Sequence, residues 1–284
     1  MLIKEALESA TQALANSSDS PRLDAELLLA HCLNKNRSFL FAWPDTALTT
    51  SQQTAFSELT EKRIDAWPVA YLTGYQEFWS LNFTVNPDVL IPRADTETLV
   101  EAALETLQGI EEPLILDLGT GSGAIAIALA SERPDASITA SDRSGDALKV
   151  AELNKQRHDA KNLSLRQSNW FERIDATGFN LIVSNPPYIA DNDAHLRGDI
   201  RHEPLQALAS GKDGLSDINI IVCEAIDYLK PGGWLLLEHG HDQATDVRAR
   251  LEEVDYQQVA HRKDLSGINR ITMGQRPNSS TCPG

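Results

Sequence analysis

The chain has 284 residues, 42% of them hydrophobic and 23% charged, with 25 Lys and Arg against 41 Asp and Glu and a formal net charge of −16. That length allows one large domain plus a small one, and the longest apolar stretches, Ala124 to Ala130 and Trp234 to Leu237, fall far short of the roughly 18 residues that suggest a membrane span. The acidic balance, with no run of Lys or Arg, argues against a direct nucleic-acid partner, whose phosphate backbone is gripped by concentrated basic charge.

The opening Met1-Leu2-Ile3-Lys4-Glu5 lacks a basic region followed by an apolar block and does not read as a signal peptide. Helical spacing begins at once, with Leu2-Ile3, Ala6-Leu7, Ala10 and Ala13-Leu14. Asn16 to Pro21 breaks it, and Ser20 before Pro21 reads as an N-cap with Pro at the first helical position. A second helix runs through Leu23, Leu27-Leu28 and Ala30-His31, and a third from about Ser51 through Phe56, Leu59 and Ile64. Residues 1–72 are therefore expected to form a small helical bundle that positions something else.

From 73 to 91 the texture changes to aromatic and β-branched residues, and Gln76 to Val85 reads as a hairpin joining two domains. Apolar runs at Pro113–Leu118, Ser137–Ala140, Leu163–Arg166, Phe179–Val183 and Trp234–Leu237 then alternate with helical stretches. The helices are expected near Thr96–Leu107, Ala124–Ser131, Gly145–Asn154, Ser216–Leu229 and Gln243–Leu251. Such alternation predicts an α/β domain over 92–276 with a parallel sheet and helices on both faces, its ligands beyond the carboxyl ends of the strands. The end of the chain, from Gly274 onward, reads as frayed, and 277–284 as a flexible tail.

Leu114 to Gly123 is a buried strand, a glycine-rich turn and the start of a helix. Its Gly119-Thr120-Gly121-Ser122-Gly123 has the spacing G-x-G-x-G, not the G-x-G-x-x-G of dinucleotide binders, and no P-loop Lys follows. Asp117 just before the turn suits a cationic ligand better than a pyrophosphate. S-adenosyl-L-methionine, with a sulfonium, an ammonium and no phosphate, is such a ligand. Asp142 closes the next strand, about 20 residues beyond the glycines, where a ribose diol is bound in related sheets.

Asn185-Pro186-Pro187-Tyr188 follows the fourth strand directly. Two prolines cannot continue a ladder, so the chain turns where ligands bind. The Asn185 carbonyl can accept one N–H of a planar NH2 group and the Pro186 main-chain carbonyl the other, while Tyr188 offers a flat ring. An amide nitrogen is a poor nucleophile, and holding both its hydrogens aims its lone pair at an electrophilic methyl. Positioning of this kind contributes roughly 7–11 kcal/mol in favourable cases. An ordinary Asn-Pro turn explains the first two residues but not the tetrapeptide at a strand end.

These motifs, with Pro21-Arg22-Leu23-Asp24-Ala25-Glu26, Ala70-Tyr71-Leu72-Thr73-Gly74, Leu90-Ile91-Pro92-Arg93, Asp95-Thr96-Glu97, Glu203-Pro204, Glu238-His239-Gly240 and Lys263-Asp264-Leu265-Ser266-Gly267 in order, give a family resemblance over nearly the whole chain. The sequence resembles the peptide chain release factor N(5)-glutamine methyltransferases of the HemK type. The resemblance implies a five-helix N-terminal domain that helps recognise the release factor and a Rossmann-like class I methyltransferase domain. It implies methylation of the glutamine in the Gly-Gly-Gln loop of class I release factors, with S-adenosyl-L-homocysteine as the product. It also implies that Gly119 to Gly123 line the methionine part of the cofactor, Asp142 the ribose, Asn169 and Trp170 the adenine, and Asn185 to Tyr188 the glutamine amide. Many relatives look acidic at Asn169, and Ser141 stands where relatives often carry an apolar residue.

Two other readings share these residues. Adenine N6 methyltransferases act on a similar conjugated NH2, but they flip a base and need basic grooves. A non-catalytic release-factor binder would not need both motifs intact. Cys32, Cys223 and Cys282 are far apart, and His195, His202, His239 and His241 form no HExxH, so neither a disulfide framework nor a metal site is expected. The reading is thus a monomeric cytoplasmic enzyme with no metal.

Overall fold

The computed structural model describes residues 1–197 and 200–278; Cys282 and the stretch 279–284 of the expected tail lie outside the described residues. The chain divides into two units, Met1–Tyr75 with Arg197–His202, and Gln76–Leu196 with Glu203–Gly284.

Five helices make the first unit: α1 (Ile3–Leu14), α2 (Pro21–Leu33), α3 (Arg37–Ala42), α4 (Thr50–Ile64) and α5 (Val69–Thr73). On α1 the buried residues Ile3, Ala6, Leu7, Ala10 and Leu14 form one stripe at helical spacing. They pack with Leu28 and Leu29 of α2, Leu40 of α3 and Phe56 of α4 in a single apolar cluster. The sequence pattern marks α1, α2 and α4. Helices α3 and α5, of six and five residues, are too short to show a period.

Ser20 does stand at the N-cap of α2 with Pro21 following, but its hydroxyl caps no helix N–H. It donates instead to Asp24 Oδ1 at 3.2 Å. Asp24 is buried, and a buried carboxylate must be hydrogen-bonded; Ser18 Oγ and Arg63 Nε complete its shell, each at 2.7 Å. Glu26, also buried, lies between Arg22 and Arg37 at 2.7 Å from each. Burial alone would push its carboxyl up, yet the two guanidinium groups hold it below the usual carboxylate value.

A hairpin follows, β1 (Tyr75–Phe78) and β2 (Leu81–Thr84), which from Gln76 onward belongs to the second unit. Trp79 and Ser80 form its turn, both at positive φ (52° and 57°), as a two-residue turn matching strand twist requires. The main sheet comprises β3 (Leu114–Leu118), β4 (Ser137–Asp142), β5 (Leu163–Gln167), β6 (Phe179–Ser184), β7 (Leu229–Glu238), β8 (Gln257–Lys263) and β9 (Asn269–Gln275). Their order is β5-β4-β3-β6-β7-β9-β8. Strands β5 to β7 pair in parallel, whereas β9 is antiparallel to both β7 and β8.

Alternate side chains feed the two faces. Ile115, Leu181, Val183 and Leu236 join the layer containing α6 (Glu97–Thr106) and α7 (Ala124–Glu132). Leu116, Leu118, Ile182, Leu235 and Leu237 join the layer containing α9 (Ser216–Tyr228) and α10 (Ala244–Glu253). The remaining helix, α8 (Gly145–Arg157), links β4 to β5. This is the Rossmann-like class I sheet the sequence predicts.

Three expectations are corrected. Strands β8 and β9 were not anticipated, because β8 is an edge whose side chains are mostly exposed and so lacks an apolar alternation. Gly274 and Gln275 are not frayed: they pair with Leu235 and Trp234. Strand β7 begins at Leu229, ahead of the expected Trp234, because a register shift between Phe179 and Leu181 accommodates Pro231.

Asn154 of α8 is fully buried. Its Nδ2 donates to the carbonyls of Thr84 (3.0 Å) and Ser122 (2.9 Å), and its Oδ1 accepts the Thr84 N–H at 2.7 Å. One side chain thus fastens the hairpin to the glycine turn. Asn154→Ala strands these groups and lowers stability by about 2–3 kcal/mol, read as a lower urea midpoint at unchanged slope.

Candidate active site at the switch in strand order

From β3 the chain proceeds outward through β4 and β5, then returns to place β6 on the other side of β3. The crevice at such a reversal is where open α/β sheets bind ligands. Leu118 and Ser184 are paired across it, and the Ser184 hydroxyl donates to the Leu118 carbonyl at 2.7 Å, so both strand ends are fixed together.

Asp117 is wholly buried. Its Oδ2 accepts the Thr120 hydroxyl at 2.6 Å, and its Oδ1 has no partner. Burial pushes its carboxyl up to about 7; the Thr120 hydrogen bond opposes this and the nearby Asp142 charge adds to it. The glycine turn closes on β4: the N–H groups of Gly119 and Thr120 both donate to the Ser141 carbonyl, at 2.8 and 2.9 Å. Ser141 therefore serves through its main chain, and nothing in the structure explains its hydroxyl. Asp142 accepts the Gly121 N–H on Oδ2 (2.9 Å) and the Ser144 N–H on Oδ1 (2.8 Å). Both oxygens are oriented, and each keeps a lone pair for a hydroxyl.

A cleft lies over these strand ends, at the place where open α/β sheets hold small molecules. It brings together Gly119, Gly121, Asp142, Asn169, Trp170, Asn185 and Pro187. Gly119 has φ +73°, a left-handed backbone that side chains rarely adopt, and the Trp170 ring lies beside it. The Trp170 Nε1 donates to Asp217 at 3.1 Å. Asn169 commits its Nδ2 to Glu172 at 2.7 Å, which leaves its carbonyl as an acceptor at the cleft.

Asn185 Nδ2 donates to Thr96 Oγ1 at 3.2 Å, while its Oδ1, shielded from solvent, has no partner. Pro186 and Pro187 are buried. The Tyr188 carbonyl accepts Gln243 Nε2 at 3.0 Å, and its phenol donates to Glu238 Oε1 at 3.4 Å. Burial and the neighbouring Glu238 raise the Tyr188 phenol well above its usual value. Gly214, at φ +76°, passes so close that a Cβ would stand 2.2 Å from the Tyr188 carbonyl and 2.8 Å from Gln243 Nε2.

Comparison with known proteins bears on this arrangement. Residues 5–74 match the model of the PrmC N-terminal domain and residues 94–211 that of the methyltransferase small domain. A release factor glutamine methyltransferase from Coxiella burnetii is 48% identical over 274 residues, covering 96% of this chain and 99% of that one. The chain belongs to the release factor glutamine methyltransferase family. Its Escherichia coli relative of the same name is 47% identical over 261 residues, covering 91% of this chain and 94% of that protein. A methyltransferase of Pyrococcus furiosus, 18% identical with a TM-score of 0.52 over 69% of this chain and 89% of its own, shares the fold.

For a methyltransferase of this family, the cleft holds residues that sequence reasoning missed. Asp88, Val89, Leu90, Arg143, Ser144, Pro204 and Gln206 also line it, and Arg143 Nη2 donates to the Gln206 carbonyl at 2.8 Å. The buried Glu203 accepts the Ile91 N–H at 3.1 Å and pairs with Arg93, which brings the segments around Leu90 and Pro204 together. Both segments were visible as motifs, but only their hydrogen bonds give them a role. Conversely, Asp117, Thr120, Ser122, Gly123, Pro186 and Tyr188 do not line the cleft. Thr120 and Ser122 shape the glycine turn through Asp117 and Asn154, and Gly123 leads α7. The singled-out histidines whose side chains are among the described residues do not converge: His239 is buried between the Gly240 carbonyl and Thr272, and burial lowers its basicity. His202 stacks on Trp67 in the first unit, His241 is exposed, and the His195 side chain lies outside the description.

Proposed function

We propose that this chain transfers a methyl group from S-adenosyl-L-methionine to the side-chain amide nitrogen of the glutamine in the Gly-Gly-Gln motif of class I peptide chain release factors, and so modulates translation termination. The observation that carries the reading is Asn185: its amide hydrogen is anchored on Thr96 and its carbonyl oxygen is left without a partner. The curated relatives' names supply the substrate. The same reading makes the protein a cytoplasmic monomer.

The residues present fit the cofactor. The unpartnered, buried Asp117 Oδ1 suits a cationic ligand, and Gly119 and Gly121 allow close backbone approach. Asp142 would hold a ribose diol, and Trp170 with the Asn169 carbonyl would face the adenine. Bound there, S-adenosyl-L-methionine supplies a methyl group on a positively charged sulfur and departs as S-adenosyl-L-homocysteine. Asn185 Oδ1 and the Pro186 carbonyl take the two hydrogens of the glutamine NH2 and fix its rotation. Positive charge grows on that nitrogen in the transition state, and the two carbonyl dipoles stabilise it without needing to reorganise. The nitrogen then sheds a proton to solvent, so no strong base is required.

The direct test is mass spectrometry of a release factor incubated with the protein and isotopically labelled cofactor. Label on the glutamine of the tripeptide loop, and none in duplex DNA treated alike, is the expected result; an unlabelled release factor refutes the proposal.

Asp117 adds a pH dependence. Its carboxyl, raised to about 7 chiefly by burial, is neutral below that pH and cannot hold a cation. The charge it carries above that pH lies behind the cleft and not in it, so the pH dependence it brings is one of stability. Because the folded pKa exceeds the unfolded one, the stability this carboxyl contributes is complete below about pH 4 and is lost as pH rises through about 7. Unfolding midpoints of wild type and Asp117→Asn compared from pH 4 to pH 8 check this, the variant lacking this component of the loss.

A further inference from the structure

Of the described residues that line the cleft, all but six lie at or just beyond the ends of β3, β4, β5 and β6. The six are Asp88, Val89 and Leu90, ahead of α6, and Pro204, Gln206 and Ala207, between β6 and α9. Neither segment belongs to the sheet, so the sheet does not fix one against the other. A main-chain ladder cannot run on through their junction, because Pro92 and Pro204 follow the residues that meet and have no N–H to donate. A side chain makes the join. Glu203, at 6% exposure, accepts the Ile91 N–H on Oε2 at 3.1 Å and pairs with the Arg93 guanidinium through Oε1. A carboxylate this deep is costly unless it is matched, and here each oxygen has its own donor. Two further bonds continue the strap: the Gln206 carbonyl accepts Arg143 Nη2 at 2.8 Å, and the Leu208 carbonyl accepts the N–H of Ile189, just after the tetrapeptide, at 2.9 Å.

We infer that Glu203 is a positioning residue of the cofactor site: it clasps the segments 88–91 and 203–207 into one wall that retains S-adenosyl-L-methionine, without itself lining the cleft. The inference rests on the methyl-transfer reading for the identity of the ligand, and adds to it a determinant of retention that lies outside both the glycine turn and the Asn-Pro-Pro-Tyr segment. Glutamine is the informative replacement. Both partners of Glu203 are donors, one to each oxygen. A carboxamide of the same size has one oxygen and one NH2, so whichever way it turns a donor faces a donor. The wall then parts, although the side-chain volume, the strand ends and every residue lining the cleft are unchanged.

Calorimetry with S-adenosyl-L-methionine gives a Kd about 10- to 50-fold weaker for Glu203→Gln than for wild type. The loss falls in koff, measured by chasing bound cofactor with excess S-adenosyl-L-homocysteine, because encounter with the cleft is unchanged and retention is not. The cofactor KM rises in parallel, whereas kcat at saturating cofactor and the KM for the release factor stay within about threefold of wild type. Amide hydrogen exchange adds a readout that needs neither ligand nor turnover: the Ile91 N–H exchanges about tenfold faster in Glu203→Gln, while the amides of β3 and β6 keep their wild-type protection. Arg93→Met opens the same clasp from its half-exposed side and weakens Kd to a similar degree. The double variant is no more than about threefold worse than the weaker-binding single, as two residues acting as one unit require. A Kd within threefold of wild type in Glu203→Gln, or in Arg93→Met should the glutamine variant not fold, overturns the inference, as does a weakened Kd with Ile91 exchange unchanged. A wild type that binds no S-adenosyl-L-methionine defeats the methyl-transfer reading and this inference together. One that binds it but leaves the release factor unmethylated defeats that reading alone, and the Kd comparison still decides the clasp.

Discussion

Asn185→Ala lowers kcat for release-factor methylation by about 10²- to 10³-fold, the effect of removing one preorganised dipole from the place where charge develops. The substitution deletes the unpartnered carbonyl oxygen and the NH2 that docks on Thr96, so the substrate amide loses one of its two acceptors and is free to rotate. Stability changes little, because Asn185 is only partly buried and makes a single side-chain hydrogen bond. The melting temperature should shift by no more than about 2–4 °C, the equivalent of roughly 1 kcal/mol in a chain of this size. Cofactor affinity, measured by calorimetry, separates a defect in chemistry from a defect in binding: Kd stays within about tenfold while single-turnover methylation collapses. An Ala variant that methylates within threefold of wild type would remove the basis of the mechanism.

Gly214→Ala is expected to damage fold and activity together. A left-handed residue with a Cβ costs about 1–2 kcal/mol, and the Cβ also collides with the Tyr188 carbonyl, 2.2 Å away, and with Gln243 Nε2 at 2.8 Å. Neither can yield freely. Gln243 is pinned by the Gly240 N–H on its Oε1 and donates from Nε2 to Tyr188 and Asp213, and Tyr188 follows two buried prolines. Overpacking of this kind adds about 1–3 kcal/mol, giving a total loss of about 2–5 kcal/mol in urea titrations. Whatever part of the strain is relieved by moving Tyr188 also displaces Asn185 to Pro187, and a shift of about 1 Å at a positioning site costs roughly 10²-fold in rate. Gly109, at φ +75° with nothing within 4 Å of an added Cβ, supplies the control: Gly109→Ala should carry the backbone penalty alone and leave the rate unchanged.

These two positions show which features are legible in a sequence. Asn185 is legible because its signal is local: an apolar strand, then Asn-Pro-Pro-Tyr. The glycine turn after β3 is legible for the same reason, as are β4, β5 and β6, each an apolar run bounded by turn residues. Gly214 falls within a Gly211-Lys212-Asp213-Gly214 run that fits the family resemblance, but what forbids a side chain there is a carbonyl contributed by Tyr188, which no local pattern shows. Thr96 and Asn185 are 89 residues apart, and Arg93 and Glu203 are 110 apart; hydrogen bonds across such distances leave no periodicity to read. Likewise α3 and α5 are shorter than the window a helical period needs, and the side chains of β8 follow solvent rather than core.

The two margins of the seven-stranded sheet, β5 and β8, have a consequence for how copies of this chain meet. An open margin is a template on which a neighbouring polypeptide can zip up and begin to aggregate. Here Ser164, Arg166 and Gln167 on one side, and Gln257, Gln258, Arg262 and Lys263 on the other, are all exposed, and Gln258 interrupts its strand with φ +52° beside a register slip. Hydrated, charged and kinked borders of this kind resist recruitment of another strand, so the very polarity that conceals β8 from pattern reading protects a concentrated solution of the protein from precipitating edge to edge.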